Sequence, residues 1–130
     1  MQYKKKIFHV ENMSTERLAK KFATPLYCYS YLKLKNNIIN FKDSFKKINP
    51  LICFSLKSNS NTKILNEIKK LNCGADVVSK GEILRALKSG FKNKKIVFSG
   101  VGKTYSELEY AINKNILLIN VESKSELLTI

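Results

Sequence analysis

Three capping boxes of the form Ser/Thr-x-x-Glu each follow a β-like run in this chain. They are Ser79-Lys-Gly-Glu82, Thr104-Tyr-Ser-Glu107 and Ser123-Lys-Ser-Glu126. In such a box the first and last side chains satisfy free amide groups at the start of a helix. Three strand-to-helix turns in succession predict βα units, because each right-handed crossover lays the next strand parallel to the last.

The predicted units are strand 51–57 with helix 61–71, strand 73–78 with helix 80–89, strand 95–99 with helix 105–114, and strand 116–121 with a helix from Ser123. Four units are half of an eight-stranded barrel. We therefore expect an α/β fold, a partial (βα)8 TIM-type barrel that is truncated at Ile130. The residues before it predict a polar lead-in, a helix at 14–22, a β-prone segment at 26–30 and a helix at 31–48.

The segment Leu51–Lys57 is the candidate for the first barrel strand. At period two, Ile52, Phe54 and Leu56 share one face, which suits packing against helices, and the smaller residues between them suit a barrel interior. The segment ends on Lys57, where active sites of parallel α/β proteins are built. A lysine that loses hydration between hydrophobic walls becomes a usable amine nucleophile. The alternative is that Lys57 is one of many surface lysines.

Asp76 lies in the next predicted strand, on the same face as Gly74 and Val78. A carboxylate at that position is costly to bury unless it is paired. Its partner would be a cation at the strand end, and we expect Lys57; the alternative is that Asp76 caps a nearby loop.

The segment Gly100-Val-Gly-Lys-Thr104 resembles the end of a phosphate-binding P-loop. That motif needs a glycine five positions before Gly102, and Val97 stands there. We interpret the segment as a glycine turn into a capped helix, with weak anion binding at the helix start left open.

Composition argues against several other functions. The net charge of +14 comes almost entirely from lysines spread along the chain, without the arginine and aromatic pattern of nucleic-acid binding. No apolar run is long enough to span a bilayer. The single histidine, His9, argues against a metal site or a Ser-His-Asp triad. Three scattered cysteines indicate reduced thiols that act as small hydrophobes.

Taken together and in order, several segments resemble diaminopimelate decarboxylases. They are Thr24-Pro-Leu-Tyr27, Phe54-Ser-Leu-Lys-Ser-Asn59, Gly74-Ala-Asp-Val-Val-Ser-Lys-Gly-Glu82, Ala86-Leu-Lys-Ser-Gly90, Ile96-Val-Phe-Ser-Gly-Val-Gly-Lys-Thr104, Ile119-Asn-Val-Glu-Ser123 and Glu126-Leu127. These enzymes belong to the pyridoxal-phosphate (PLP) group that combines a βα barrel with a separate β domain. Where their motif usually reads Tyr-Ala-Val-Lys-Ala-Asn, this chain has serines at Ser55 and Ser58.

The resemblance implies that Lys57 holds the position of the lysine that forms a Schiff base with PLP, and that Asp76 lies where the family keeps an acidic residue near the cofactor. It implies decarboxylation of meso-diaminopimelate to L-lysine by a cytoplasmic enzyme that is a homodimer when complete. Residues 1–30 would associate with the β domain and residues 31–130 would form the first half of the PLP-binding barrel. Because the phosphate-gripping groups should follow Ile130, we expect little or no activity from these residues alone.

Other functions stay open at this point. A related decarboxylase of ornithine, arginine or carboxynorspermidine would share these segments, because the residues that distinguish substrates are not among them. A basic module that binds RNA or anionic surfaces would show steeply salt-dependent binding. A decayed gene product without function is the last alternative.

Overall fold

The computed structural model describes all 130 residues, which divide into two compact units, Met1–Lys46 and Lys47–Ile130. These two units do not test the predicted domains, residues 1–30 and 31–130, which stay a prediction. None of the helices combines the length and the apolar character that crossing a bilayer requires.

The first unit begins with a small antiparallel sheet that the sequence did not predict. Its strands are β1 (Gln2–Lys4), β2 (Ile7–Val10) and β3 (Met13–Ser14), paired in that order. The turn between the first two strands places Lys5 and Lys6 at φ values of 47° and 67°. Such turns usually carry Asn-Gly or Asp-Gly. Two lysines give no turn signal, which explains the missed hairpin.

Two helices complete this unit. The predicted first helix is confirmed as α1 (Thr15–Phe22), and the second, α2 (Tyr31–Ser44), is shorter than predicted because residues 45–48 form a turn. The strand predicted at residues 26–30 is wrong: these residues join no sheet. Aromatic residues favour a strand only where a neighbouring strand offers hydrogen bonds and packing.

The carboxylate of Glu11 lies at the start of α2. It accepts hydrogen bonds from the Leu32 amide at 2.9 Å and the Ser30 hydroxyl at 2.8 Å. These bonds, the Leu32 amide first, lower the pKa of Glu11. An ionised carboxylate at a helix N-terminus is also stabilised by the helix dipole.

The second unit confirms the four predicted βα units. Its elements are β4 (Cys53–Ser55), α3 (Thr62–Lys70), β5 (Gly74–Val77), α4 (Lys80–Lys88), β6 (Ile96–Phe98), α5 (Tyr105–Asn113), β7 (Leu118–Ile119) and α6 (Lys124–Thr129). The strands lie in the order β4-β5-β6-β7 and all three pairings are parallel. Each strand is shorter than predicted. The partial barrel therefore has β4 at one edge and β7 at the other.

The three capping boxes lie where the sequence predicted them. Ser79 accepts a hydrogen bond from the Glu82 amide at 3.2 Å, and Ser123 accepts one from the Glu126 amide at 3.1 Å. The Thr104 amide donates to the Glu107 carboxylate. That carboxylate also accepts a bond from the Lys80 amide, which is the largest cause of its lowered pKa. Glu107 therefore joins the starts of α4 and α5.

The two faces of the sheet divide as the alternation predicted. The face toward the helices is completely buried at Ala75, Val77, Ile96 and Phe98, as is Leu56 just after β4. Ile52 and Phe54, which were predicted to share that face with Leu56, are only half-buried. The opposite face, the barrel interior of a complete fold, carries Cys53, Ser55, Asp76 and Val97, none of which is fully buried. At Gly74 an added Cβ would lie 2.6 Å from both the Cys53 sulfur and the Lys95 carbonyl oxygen, so only glycine lets β4 and β5 approach there.

Candidate active site

Lys57 lies at the carboxyl end of β4, in a single-turn 3₁₀ helix, Leu56–Ser58, that replaces the last residues of the predicted strand. The neighbouring Leu56 is completely buried, and the Ser58 hydroxyl donates to the Ser55 carbonyl at 2.8 Å. The buried Leu56 side chain and the Ser58 hydrogen bond fix the backbone on either side of the lysine.

The side chain of Lys57 is exposed and makes no hydrogen bond or ion pair. The hydrophobic walls that the sequence led us to expect are not provided by these 130 residues. The physical reason is the position of β4, which is the edge strand of the sheet and lacks a neighbour on one side. The amine is therefore free of acceptors at the mouth, the end of the sheet where the strands finish.

We expected Asp76 to pair with Lys57, but it pairs with a hydroxyl group instead. The Ser99 hydroxyl donates to Asp76 Oδ1 at 2.6 Å, and the Asn120 amide nitrogen donates to the Ser99 oxygen at 2.9 Å. Asp76 lies in β5, and the other two residues directly follow β6 and β7. A hydrogen-bond chain therefore crosses the ends of three strands.

Sequence reasoning missed Ser99 and Asn120. Each is the first polar residue after an apolar strand, in Ile96-Val-Phe-Ser99 and in Leu117-Leu-Ile-Asn120. The carboxyl ends of parallel strands meet at one edge of a sheet. That position was the signal that could have placed both residues beside Asp76.

Ser55 belongs to the same face and is unusual in having no partner. It is aligned with Asp76 in the β4–β5 register, and its hydroxyl oxygen is buried without a hydrogen bond. Cys53 lies two residues earlier on this face. Burial, and then the charge of Asp76, raise the pKa of the Cys53 thiol, so this thiol is not an activated nucleophile.

Lys103 is bound in a way that rules out a P-loop role. Its ammonium group donates to the Gly100 carbonyl at 2.6 Å, the Asn120 carbonyl at 2.7 Å and the Glu126 carboxylate at 2.7 Å. An ammonium group has three donors, so none remains for a phosphate. The glycine-turn interpretation is confirmed by Gly100 and Gly102, which have φ values of 93° and 73°.

The Lys103–Glu126 ion pair holds the loops after β6 and β7 against α6. The side chains are 1% and 7% exposed, and the bond from Lys103 is the main cause that lowers the pKa of Glu126. Because Lys103 binds the backbone of Asn120, it also fixes the residue whose side chain donates to Ser99.

Comparison with known proteins places this arrangement in a family. Residues 32–130 match the pyridoxal-binding domain of the pyridoxal-dependent decarboxylases. A curated diaminopimelate decarboxylase of Helicobacter pylori is 52% identical over 115 residues, which cover 88% of this chain and 28% of that protein. The chain thus spans under a third of this relative.

Solved structures give the same result. Diaminopimelate decarboxylase from H. pylori, complexed with L-lysine, superposes with a TM-score of 0.83 at 51% identity, over 88% of this chain and 29% of that one. The M. jannaschii diaminopimelate decarboxylase, in co-complex with L-lysine, superposes with a TM-score of 0.93 at 37% identity, over 98% of this chain and 31% of that one. With the four parallel βα units and the match over residues 32–130, these similarities show that the chain belongs to the pyridoxal-dependent decarboxylase family, within its pyridoxal-binding domain.

Proposed function

We propose that this chain is the lysine-bearing part of the cofactor barrel of a diaminopimelate decarboxylase, in which Lys57 binds PLP covalently. The observation that carries the proposal is the placement of Lys57: a free amine on an anchored turn at the carboxyl end of a barrel strand. The relatives reported above are named diaminopimelate decarboxylases, and two of them were solved with L-lysine. We therefore propose meso-diaminopimelate as substrate and L-lysine and CO2 as products.

The residues at the mouth fit an aldehyde cofactor with polar ring substituents. Lys57 supplies an amine without competing acceptors, and Ser55 supplies a buried hydroxyl without a partner. Asp76 supplies a carboxylate whose position is set by Ser99. When bound, PLP supplies an electron sink for the electron pair that a departing carboxylate leaves behind.

Each residue then has a defined task. Lys57 Nζ would hold the cofactor, and the same amine would be placed to move a proton at the reacting carbon. Asp76 places negative charge on the interior face, held in one orientation by the hydrogen-bond chain through Ser99 and Asn120. The Lys103–Glu126 pair keeps the ends of β6 and β7 in place, so that the hydrogen bonds from Asn120 through Ser99 to Asp76 stay aligned.

The test is an absorbance titration of the chain with PLP. We expect the band of the lysine-bound cofactor in the wild type and in Lys63→Met, which removes another exposed lysine, and no band in Lys57→Met. An equal band in all three proteins would contradict the assignment of Lys57. We expect no measurable CO2 release from meso-diaminopimelate by these 130 residues, and release would overturn that expectation.

The substrate and the assembly belong to the same proposal. A substrate panel of meso-diaminopimelate, ornithine and arginine, given to a protein that carries these residues in a complete barrel, would separate the proposed activity from that of related decarboxylases. We propose that the complete enzyme is a cytoplasmic homodimer. A monomer in sedimentation of that protein would contradict the dimer.

A further inference from the structure

We propose that the Ser55 hydroxyl is a cofactor-binding group, which donates a hydrogen bond to an acceptor atom on the pyridine ring of PLP. This inference rests on the proposed function, because it assigns a further residue to the same site. It concerns a side chain that the hydrogen-bond network of the mouth leaves out.

The first argument is the state of the hydroxyl itself. Ser55 Oγ is buried and has no hydrogen-bond partner, although its carbonyl accepts a bond from Ser58. An unpaired buried hydroxyl loses its bonds to water and gains nothing in exchange, so it lowers the stability of the fold. Such groups in a folded protein call for an explanation, and a bound ligand is one.

The second argument is where the hydroxyl lies. Ser55 is the last residue of β4, two positions before Lys57, and it is aligned with Asp76 across the β4–β5 pairing. Its side chain is on the interior face with Cys53, opposite the face that packs against the helices. Ser55 and Asp76 therefore both belong to the face that a cofactor attached to Lys57 would reach.

The third argument is that the neighbouring polar groups are already committed. Asp76 Oδ1 accepts the hydroxyl of Ser99, and Ser99 accepts the amide of Asn120. The Ser58 hydroxyl is used by the Ser55 carbonyl. These bonds involve three serines at the mouth, Ser55, Ser58 and Ser99. Among them, only the Ser55 hydroxyl still has a hydrogen to donate to a ligand.

The chain contains a matched control. Ser89 is the other residue whose buried hydroxyl has no partner, and it follows the last residue of α4. Because α4 begins just after the carboxyl end of β5, Ser89 lies at the opposite end of that helix from the mouth. Ser55→Ala and Ser89→Ala therefore remove the same kind of group, and only the first removes it from the proposed site.

The experiment measures stability and cofactor binding separately on the 130-residue chain. Without cofactor, both alanine variants should unfold at a higher urea concentration than the wild type.

In titration with PLP, Ser55→Ala should bind the cofactor about five- to tenfold more weakly than the wild type, as expected for one lost hydrogen bond. Ser89→Ala should bind like the wild type, and Ser55→Thr, which keeps the hydroxyl, should retain most of the affinity. Pyridoxal, which lacks the phosphate, should show the same loss on Ser55→Ala if the acceptor is on the ring.

Several results would overturn the inference. Unchanged PLP affinity in Ser55→Ala would mean that the hydroxyl serves no cofactor, and a lower urea midpoint would mean that it has a partner within the protein. A loss seen with PLP but not with pyridoxal would move the acceptor from the ring to the phosphate. By contrast, the absence of a Lys57-dependent absorbance band in the wild type would refute the proposed function itself. The urea midpoints of the two alanine variants would still decide whether the Ser55 hydroxyl is unpaired.

Discussion

Two lysines follow strands of the same sheet, and their surroundings are opposite. Lys57 follows β4 on a single-turn helix, exposed and without a partner. Lys103 follows β6 by a glycine turn and is 1% exposed, with all three donors engaged. The comparison shows that a lysine after a barrel strand can either hold neighbouring loops together or keep a free amine for chemistry. The hydrogen-bond acceptors within its reach decide between these two roles.

The position in the sheet explains the difference. Lys103 reaches acceptors from the next βα unit, Asn120 and Glu126, because β7 and α6 lie beside β6. No hydrogen bond from the next unit, α4 included, reaches Lys57. We expect the stability of the fold to depend on Lys103 and the chemistry of the site to depend on Lys57.

The largest expected effect is that of Lys103→Met on stability. Methionine keeps the aliphatic bulk but leaves the buried Glu126 carboxylate without its cation and two carbonyls without their donor. The fall in the free energy of unfolding, measured with urea, should be several times that of Lys57→Met. Equal falls in the two variants would break the comparison.

The next effect is a pH dependence of the same ion pair. Because the folded protein lowers the pKa of Glu126, the pair stabilises the fold above the ordinary carboxyl pKa of 4.5 and ceases to do so as pH falls through the folded value. The wild type should therefore be more stable than Glu126→Gln at pH 7, and this advantage should shrink below about pH 4.5. An advantage that stays constant down to pH 3 would contradict the pairing.

A smaller effect is expected for the hydrogen-bond chain at the mouth. Ser99→Ala removes the donor to Asp76 and should cost about 1 kcal/mol of stability. In the Asp76→Asn background the same change should cost less, because the charged acceptor has gone. Urea unfolding of the two single variants and the double variant measures this coupling, and strictly additive effects would show that Ser99 and Asp76 act independently.

The smallest effect on stability is expected for Lys57→Met. Removing an exposed side chain without partners should change the free energy of unfolding by no more than about 0.5 kcal/mol. The same exposure predicts that an amine-acylating reagent modifies Lys57 quickly and Lys103 only after unfolding. Peptide mapping after brief acylation checks this, and equal modification of both lysines would remove the distinction.

Local signals explain what the sequence predicted well. The capping boxes fixed the starts of α4, α5 and α6 because a cap and its helix lie within four residues. The alternation in Leu51–Lys57 separated the helix-facing Phe54 from the interior-facing Cys53 and Ser55 of β4, although the strand proved shorter. The position of Lys57 at the end of that strand followed from the same pattern.

Non-local contacts explain what the sequence did not predict. The partner of Asp76 depends on the register of strands more than twenty residues apart, so Ser99 was missed and Lys57 was expected instead. Lys103 was interpreted as part of a simple turn because its acceptors Asn120 and Glu126 are distant in sequence. The hairpin at residues 1–14 was missed because Lys5 and Lys6 carry no turn signature.

The most direct test of the account is to find where the cofactor attaches. The chain is incubated with PLP, reduced with borohydride, digested and mapped by mass spectrometry, with Lys57→Met as control. We predict one dominant label, on Lys57, none on Lys103, and no dominant label in the variant. A label spread over exposed lysines in both proteins, or absent from Lys57, would contradict the central claim that this lysine holds the cofactor.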